Sequence, residues 1–217
     1  MFVPKVFAEE NEATLYRAIR DIGVGIVVSH AGRELVATHV PIEAVPPTPE
    51  EPGLLRCHFA RPNPHARALT EHSDLLVIFQ GPQAYVTPNW YATKARTGKV
   101  VPTWNYAAVH VYGRGRVYTD QGSLKQHLAA LTDQFEAGGE QLWQLSDAPE
   151  EFIAQLMSGI VGVEIVVERL EGKWKMSQNR APEDRRGVVE GLRARGGLLD
   201  EAVACLVEQR LEDVDAH

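Results

Sequence analysis

The segment VGVEIVVE at residues 161–168 carries an apolar side chain at every second position. A period of two places those side chains on one face of an extended chain, so the segment predicts a half-buried strand. Comparable β-type runs recur along the chain at residues 24–30, 34–42, 54–60, 74–80, 103–119 and 173–177. Residues 31–33, AGR, join the first two of these runs and predict a hairpin. Because short turns join several of the runs, they favour an antiparallel sheet closed into a small barrel over a parallel sheet of βαβ units.

Helical patterns are interspersed with these strands. Asn11 and Asp147 are each predicted to cap a helix, because an Asn or Asp side chain can accept a hydrogen bond from a backbone N–H of the first turn. Further helices are predicted at residues 124–135, 182–195 and 199–214, where apolar residues recur at helical spacing. The expected fold class is therefore mainly β with appended helices (α+β), with Greek-key-like connections.

Three stretches interrupt the periodic patterns. Residues 43–53, EAVPPTPEEPG, contain four prolines and predict an exposed loop, because proline cannot donate a hydrogen bond to a ladder. Residues 81–99 are rich in Gly, Pro and aromatic side chains and predict a long ordered loop. The Glu171-Gly172 pair predicts a turn between two separate strands.

Charge and cysteine content narrow the class of protein. The net charge of −7 opposes binding to the phosphate backbone of DNA or to anionic lipid. The two cysteines are far apart and have no CxxC spacing, which argues against a disulfide framework or a zinc-thiolate site. The N-terminus has no apolar segment typical of a signal peptide, and no run of about 18 apolar residues occurs. We therefore expect a soluble, cytoplasmic protein.

The spacing of three histidines resembles a repeat that could hold a metal. His58, His65 and His72 recur every seven residues, but Pro62 and Pro64 interrupt any helix that would align them. No HExxH spacing occurs either. We expect these histidines to be solvated or hydrogen-bonded, and we expect no metal site.

Common catalytic and nucleotide-binding motifs are also missing. The sequence has no GxSxG elbow, no GxxxxGK[ST] loop and no GxGxxG opening a helix. The helix pair at the C-terminus is the one candidate for a helix-turn-helix, but its second helix is acidic, whereas a recognition helix is basic. We expect that pair to pack on the barrel or on a partner subunit.

Polar and aromatic residues gather at the predicted strand ends and tight connections. The segments concerned are residues 37–39, 58–64, 81–91, 103–106 and 174–180. Together they supply aromatic faces, amide donors and cations, a set that suits a planar heterocycle bearing a phosphate. The alternative is that the Trp, Tyr and Pro side chains merely fill the ends of the barrel.

The same segments carry a family resemblance. The motifs that carry it are MFVPKVF, ELVATHVP, HFARPNPH, VIFQGPQAYVTPNWY, VVPTWNYAAVHVYG, SDAPEEFIAQLMSGIVGVEI and EGKWKMSQNR. In this order they resemble the PaiB-type proteins, known as FMN-binding negative transcriptional regulators, over residues 1 to about 192. The resemblance implies an FMN-binding split β-barrel similar to pyridoxamine 5′-phosphate oxidase and flavin reductases, normally a homodimer with flavin at the subunit interface.

The resemblance also implies cofactor-binding residues in four groups. Along the isoalloxazine ring or ribityl chain it implies Ala37, Thr38 and His39. Near the phosphate it implies His58, Arg61 and Asn63. It implies Asn105, flanked by Trp104 and Tyr106, as the amide side chain that contacts the ring. Closing the site, from the same or the other subunit, it implies Trp174, Lys175, Ser177 and Gln178.

Three classes of function remain open from the sequence. The first is an FMN-binding regulator without turnover, acting on DNA directly or, given the charge, indirectly. The second is an FMN-dependent oxidoreductase acting on a small molecule, since the cofactor itself carries that chemistry. The third is an interaction protein without cofactor. A haem-binding variant of the fold is a minor alternative, with His39, His58 or His110 as the axial ligand.

The domain organisation follows from where the resemblance ends. Residues 1–192 are predicted to form the PaiB-type split-barrel domain. Residues 193–217 are predicted to form a C-terminal helical extension, which serves as a packing or dimer helix.

Overall fold

The computed structural model describes residues 1–69, 73–139 and 141–215, with side chains up to residue 211. The strands within these ranges are β1 (Ala8–Glu9), β2 (Val24–Ala31), β3 (Glu34–Pro41), β4 (Glu43–Val45), β5 (Leu54–Ala60), β6 (Ser73–Val86), β7 (Thr103–Tyr118) and β8 (Ile160–Lys175). The helices are α1 (Glu12–Ile22), α2 (Pro64–Ala68), α3 (Ala92–Thr97), α4 (Gln121–Glu136), α5 (Glu150–Ser158), α6 (Pro182–Arg195) and α7 (Asp200–Asp215). Within the described residues, none of these helices has the length and hydropathy needed to span a bilayer.

The strands form one sheet with the order β3-β2-β6-β7-β8-β5-β4, and β1 pairs with β8. The pairings β1–β8, β2–β3, β2–β6, β4–β5 and β5–β8 are antiparallel. The α+β class and the antiparallel sheet are therefore confirmed. The hydrogen-bonded ladder runs from β3 to β4 and is open, so the expected closure of the sheet into a barrel is not made by backbone pairing among the described residues.

Local sequence explains the first elements well. Asn11 Oδ1 accepts a hydrogen bond from Thr14 N at 2.9 Å, which confirms the predicted cap of α1. Strands β2 and β3 form the predicted hairpin, with Val27 opposite Thr38. Gly32 begins the two-residue turn with φ 64°, a left-handed value that glycine adopts without steric cost.

Four sequence predictions were wrong. Residues 43–45 form β4, opposite residues 54–56 of β5, because the prolines begin only at residue 46. The predicted loop at 81–99 contains the end of β6 and all of α3. The predicted turn at residues 171–172 is absent because β8 continues through it, paired there with β1. Asp147 does not cap α5, which begins after Pro149; its carboxylate accepts from Gln144 N at 2.9 Å.

Backbone contacts divide the described chain into two compact units. The first unit comprises Met1–Glu10, Gln80–Val109 and the chain from Glu171 onward. The second unit comprises Asn11–Phe79 and His110–Leu170. Each of β6, β7 and β8 contributes one part of its length to each unit.

In the second unit, α4 and α5 pack around a small apolar cluster. Leu124, Ile153 and Met157 are buried there, with the ring of Tyr118 packed against them. Asp120 caps α4 by accepting from Ser123 N at 2.8 Å. The predicted helix at 124–135 is thus confirmed and is fixed to the sheet by its leucine face.

In the first unit, α6 and α7 pair closely and α6 accommodates Trp90. A Cβ atom added to Gly191 would lie 2.3 Å from the Trp90 ring, so the indole occupies the space that a side chain would need. The guanidinium of Arg195 lies over that ring at 5.1 Å. Arg195 also pairs with Asp200 through two short contacts of 2.6 and 2.7 Å, which closes the turn between the helices. The two predicted C-terminal helices are therefore confirmed.

Gly191→Ala is expected to destabilise the protein, although alanine ordinarily stabilises a helix relative to glycine. The added methyl group overlaps the Trp90 ring, and overpacking of this kind costs about 1–3 kcal/mol. Urea denaturation of both proteins measures the effect. Glu190→Ala, at the exposed neighbouring position, is the matched control, and a Gly191→Ala protein as stable as this control would contradict the packing described.

Candidate functional site

Two motifs that are distant in sequence meet in the first unit. Asn105, in the TWNY segment at the start of β7, donates from Nδ2 to Ser177 Oγ at 3.0 Å. Ser177 lies just after β8 in the KWKMSQNR segment, and its hydroxyl donates back to Asn105 Oδ1 at 3.1 Å. Asn105 is 0% exposed and Ser177 is 3% exposed. The pair is thus a fully buried link between the two motifs.

Lys175 makes a second link between the same strands. Its ammonium group donates to the Thr103 hydroxyl and, at 2.6 Å, to the carbonyl oxygen of Trp104. Gln178 fixes the chain beyond β8, because its amide donates to the Trp174 carbonyl at 2.5 Å and accepts from Met176 N at 2.7 Å. Four side chains that the resemblance implied, Asn105, Lys175, Ser177 and Gln178, therefore hold this region together.

The backbone at Ser177 is unusual. Its φ is 63°, in the left-handed region that residues other than glycine rarely adopt, and among the described residues it is the one non-glycine with a positive φ. Arg180 N donates to the Ser177 carbonyl at 2.9 Å, which closes a tight turn. Such strained backbone persists where surrounding bonds determine it, and it is common at ligand-binding sites.

The aromatic flanks of Asn105 lie on the other face of β7. Trp104 is 53% exposed, and its ring meets that of Tyr85 edge to face at 6.1 Å. The ring of Tyr106 lies 5.3 Å from the Lys173 ammonium group. An exposed indole beside a cationic edge offers a stacking surface for a planar ligand.

A small pocket of about 100 Å³ lies beside the buried pair. Its wall includes Asn105, Ser177, Lys175, Arg180 and Tyr91. The Arg180 guanidinium lies over the face of the Tyr91 ring at 4.8 Å, and the Tyr91 hydroxyl is buried with no hydrogen-bond partner among the described residues. A buried hydroxyl without a partner is costly, so its place in a pocket wall is notable.

The charge in this pocket is one-sided. Burial lowers the pKa of Lys175, and the positive charges of Lys173 and Arg180 nearby lower it further. Within the part of the chain that the structure describes, neither Lys175 nor Arg180 pairs with a carboxylate. The pocket therefore concentrates hydrogen-bond donors and positive charge.

The second unit holds a separate polar group built from β2, β3 and α2. His65 is 3% exposed, with Ser29 Oγ 2.9 Å from its Nε2 and Thr38 Oγ1 2.7 Å from its Nδ1. Asn63 donates to the same Thr38 oxygen at 3.4 Å and caps α2 by accepting from His65 N at 2.9 Å. Thr38 and Asn63, both implied by the resemblance, therefore lie together, with His65 at the centre.

His58 belongs to a different hydrogen-bonded chain in the second unit. Its Nδ1 lies 3.2 Å from His127 Nε2, and His127 Nδ1 lies 2.7 Å from the buried Glu43 carboxylate. Arg56 pairs with the other Glu43 oxygen at 3.3 Å and with Glu164 at 2.9 Å. If neutral His127 donates to Glu43, its Nε2 must accept from His58, which leaves His58 Nε2 as an acceptor.

The remaining implied residues of the second unit are Arg61, Ala37 and His39. Arg61 donates to the carbonyl oxygens of Ser158 at 2.7 Å and Ile160 at 3.1 Å, so its guanidinium holds the end of α5. Ala37 and His39 are exposed on β3, at one end of the sheet. Their predicted cofactor contacts stay predictions.

Several polar groups of the structure were not expected from the sequence. His65 was expected only as a candidate metal ligand, and Glu43, His127 and Tyr91 carried no prediction. Tyr91 and Arg180 lie within the family motifs, so those motifs could have indicated both residues. His127 lies inside a helical pattern, and nothing in the sequence distinguishes it from its neighbours. No cluster of three or more His, Cys, Asp or Glu side chains suited to a metal occurs among the described residues, and His72 lies outside them.

Residues 1–169 match the model of a protein family described as "Putative FMN-binding domain". The chain belongs to this FMN-binding family. FMN, the cofactor expected from the sequence, is thereby confirmed as the cofactor of the family.

Two full-length relatives extend this finding. The chain is 30% identical over 212 residues to the protease synthase and sporulation protein PAI 2 of Bacillus subtilis, covering 98% of this chain and 99% of the relative. It is 36% identical over 249 residues to an uncharacterized protein of Emericella nidulans, covering 99% of both. The resemblance to PaiB-type proteins is therefore confirmed.

Solved structures share the fold. The FAD and heme binding protein from Mycobacterium smegmatis has a TM-score of 0.59 at 17% identity, covering 88% of this chain and 80% of that one. The flavocytochrome Anf3 from Azotobacter vinelandii also has a TM-score of 0.59, at 14% identity, covering 83% of this chain and 75% of that one. At these identities the likeness shows a common fold.

Stability is expected to fall as the pH drops below about 6.5, the ordinary pKa of histidine. Burial lowers the pKa values of His58, His65 and His110, and the nearby His127 lowers that of His58 further. The unfolded chain therefore binds protons that the folded chain does not, and protonation favours unfolding. Urea midpoints at pH 7.5, 6.0 and 5.0 measure this loss.

A matched pair of variants assigns part of that pH dependence. His65→Gln should reduce the slope of stability against pH, because it removes one buried histidine. His30→Gln removes an exposed histidine and should leave the slope as it is. Equal slopes in all three proteins would contradict the assignment.

Proposed function

We propose that this chain is an FMN-binding protein of the PaiB type that works as a homodimer in the cytoplasm and acts as a negative transcriptional regulator. The observation that carries the flavin part is the link between TWNY and KWKMSQNR, formed by Asn105 and Ser177 beside a polar pocket. Membership of the FMN-binding family supports the same conclusion. The regulatory part is supported by the relative from Bacillus subtilis, which is named for protease synthesis and sporulation.

The residues of the first unit fit a flavin. The exposed indole of Trp104 offers a stacking face, and Lys175 with Arg180 offers positive charge to an anionic group. Asn105 and Ser177 fix the wall between these groups. When bound, FMN would supply redox chemistry, while the protein would bind and orient it.

The regulation is proposed to be indirect. A net charge of −7 opposes approach to DNA, and the second helix of the C-terminal pair, Asp200–Asp215, begins with two acidic residues. The division into a domain of residues 1–192 and an extension of residues 193–217 stays a prediction. So do the cofactor contacts of Ala37, Thr38, His39, His58, Arg61 and Asn63.

An FMN-dependent oxidoreductase is the second candidate. The pocket of about 100 Å³ beside Asn105 favours it, because a space of this size suits the acidic group of a small substrate. A haem variant would require a histidine with a free ring nitrogen; His110 Nδ1 is buried without a partner among the described residues, which keeps that alternative open.

An absorbance spectrum of the purified protein tests the cofactor directly. It is recorded as purified and again after adding FMN and desalting. Flavin bands that survive desalting are expected, whereas a colourless protein contradicts FMN binding and a Soret band indicates haem. Reduction of the bound flavin by NADH or NADPH, with turnover, would favour the oxidoreductase over the regulator.

Asn105→Ala is expected to weaken FMN binding by about tenfold, because the wall of the pocket loses the bonds that fix it. The change should also cost about 1–3 kcal/mol of stability, since it leaves the buried Ser177 hydroxyl without its partner. Quenching of flavin fluorescence measures the affinity, and circular dichroism verifies folding. Gln83→Ala removes an exposed amide of the same unit and is the control. A folded Asn105→Ala protein with unchanged affinity would refute the role.

The oligomeric state is tested by light scattering after gel filtration of the full chain. A mass of twice the 24.0 kDa of one chain is expected with FMN present. A monomer under those conditions would contradict the homodimer.

A further inference from the structure

The pocket beside Asn105 is lined by three residues with polar groups that the hydrogen bonds between Asn105 and Ser177 do not use. These are the Tyr91 hydroxyl, the Arg180 guanidinium and the remaining N–H of the Lys175 ammonium group, two of whose three donors are already engaged. All three can donate a hydrogen bond. The three residues line one pocket of about 100 Å³ in the first unit.

We infer that this pocket is an anion subsite that takes a phosphate or carboxylate group, held by Lys175, Arg180 and the Tyr91 hydroxyl. The residues for which the resemblance implied phosphate contacts, His58, Arg61 and Asn63, belong to the second unit. Arg61 is already engaged with the carbonyl oxygens of Ser158 and Ile160.

The local charges support an anion over a cation or a neutral ligand. Lys173, Lys175 and Arg180 lie close enough to repel one another, and an anion would relieve that repulsion. The buried carboxylate near Tyr91 is that of Asp184, and it is directed to Thr93 N at 2.8 Å. Glu183, its neighbour, pairs with Arg96 at 2.6 Å. Both carboxylates are therefore bonded to other groups.

The Tyr91 hydroxyl supplies an independent argument. It is buried without a hydrogen-bond partner among the described residues, and burial raises the pKa of Tyr91, so the group stays protonated and can donate. The Arg180 guanidinium lies over the face of the same ring at 4.8 Å, and both residues line the pocket. An anion oxygen in the pocket would satisfy this hydroxyl and the guanidinium together.

The shape of the pocket limits the size of the ligand group. A space of about 100 Å³ accommodates one phosphate or carboxylate group, not a whole flavin. The anion therefore comes from one of two sources. It is either the phosphate of FMN or the acidic group of another small molecule, and only the first of these rests on the function proposed above.

Titration of the full-length protein with inorganic phosphate tests the subsite without flavin. Shifts of the ¹⁵N–¹H resonances of residues 91 and 180 report binding. Saturable binding is expected in the wild type. Arg180→Gln should weaken it by about tenfold or more, because it removes a charged hydrogen bond, and Tyr91→Phe by about two- to tenfold. Arg186→Gln, at an exposed arginine of the same unit, should change nothing.

A second measurement identifies the source of the anion. The affinities of FMN and riboflavin, which differ by the phosphate alone, are compared in the wild type and in Arg180→Gln. A preference for FMN that Arg180→Gln abolishes assigns the pocket to the flavin phosphate. An unchanged preference, with phosphate still binding to the FMN-loaded protein, assigns the pocket to another small acid.

The outcomes that overturn the inference are distinct from failure of the proposed function. Absence of phosphate binding in the wild type, together with an unchanged preference for FMN in Arg180→Gln, refutes the anion subsite. Absence of flavin binding refutes the proposed function, yet it leaves the phosphate titration valid. Tyr91→Phe keeps the packing of the ring, so a folded variant is available even if Arg180→Gln fails to fold.

Discussion

The mutual hydrogen bonds between Asn105 and Ser177 are the constraint on which the rest of the first unit depends. They join the start of β7 to the end of β8, and both side chains are almost completely removed from water. A buried amide without a partner would cost about 1–3 kcal/mol, so each side chain restricts the other. The strained backbone of Ser177 can persist because this bond and the bonds of Gln178 leave it little alternative. The adjoining pocket keeps its donors in place for the same reason.

The polar side chains around the pocket differ in their hydrogen bonding from those around His65 and His127. In the first unit the cations near the pocket lack carboxylate partners among the described residues, and a buried hydroxyl faces the same space. In the second unit Tyr16, Tyr118 and His110 also keep a buried polar atom without a hydrogen-bond partner among the described residues. Around His65 and His127, however, the buried polar groups are bonded to one another, as His65 is with Ser29 and Thr38, and His127 with Glu43. Satisfied networks of this kind specify a single packing arrangement, whereas unsatisfied donors are typical of places that bind a ligand.

Much of the fold could be predicted from periodicity, and the failures have physical causes. The alternation in residues 161–168 and the glycine turn after β2 predicted strands and a hairpin that are present. The strand at 43–45 was missed because three residues are too few for a periodic signal beside a proline-rich stretch. The turn predicted at residues 171–172 failed because Gly172 sits in a ladder with Glu9, a long-range pairing that local sequence does not encode. The motifs indicated Asn105 and Lys175 as site residues. The surroundings of Tyr91 and the hydrogen-bond partners of His127 depend on three-dimensional packing, which local sequence does not encode.

The way the chain threads through its two units restricts how such a protein can change during evolution. The first unit is assembled from three stretches of sequence and the second from two, and the long strands β6, β7 and β8 belong in part to each. No single contiguous segment of the gene therefore encodes either unit. Exchange of one contiguous segment therefore cannot transplant either unit into another protein. The order of the motifs along the chain is accordingly part of the architecture and cannot be rearranged by exchange of modules.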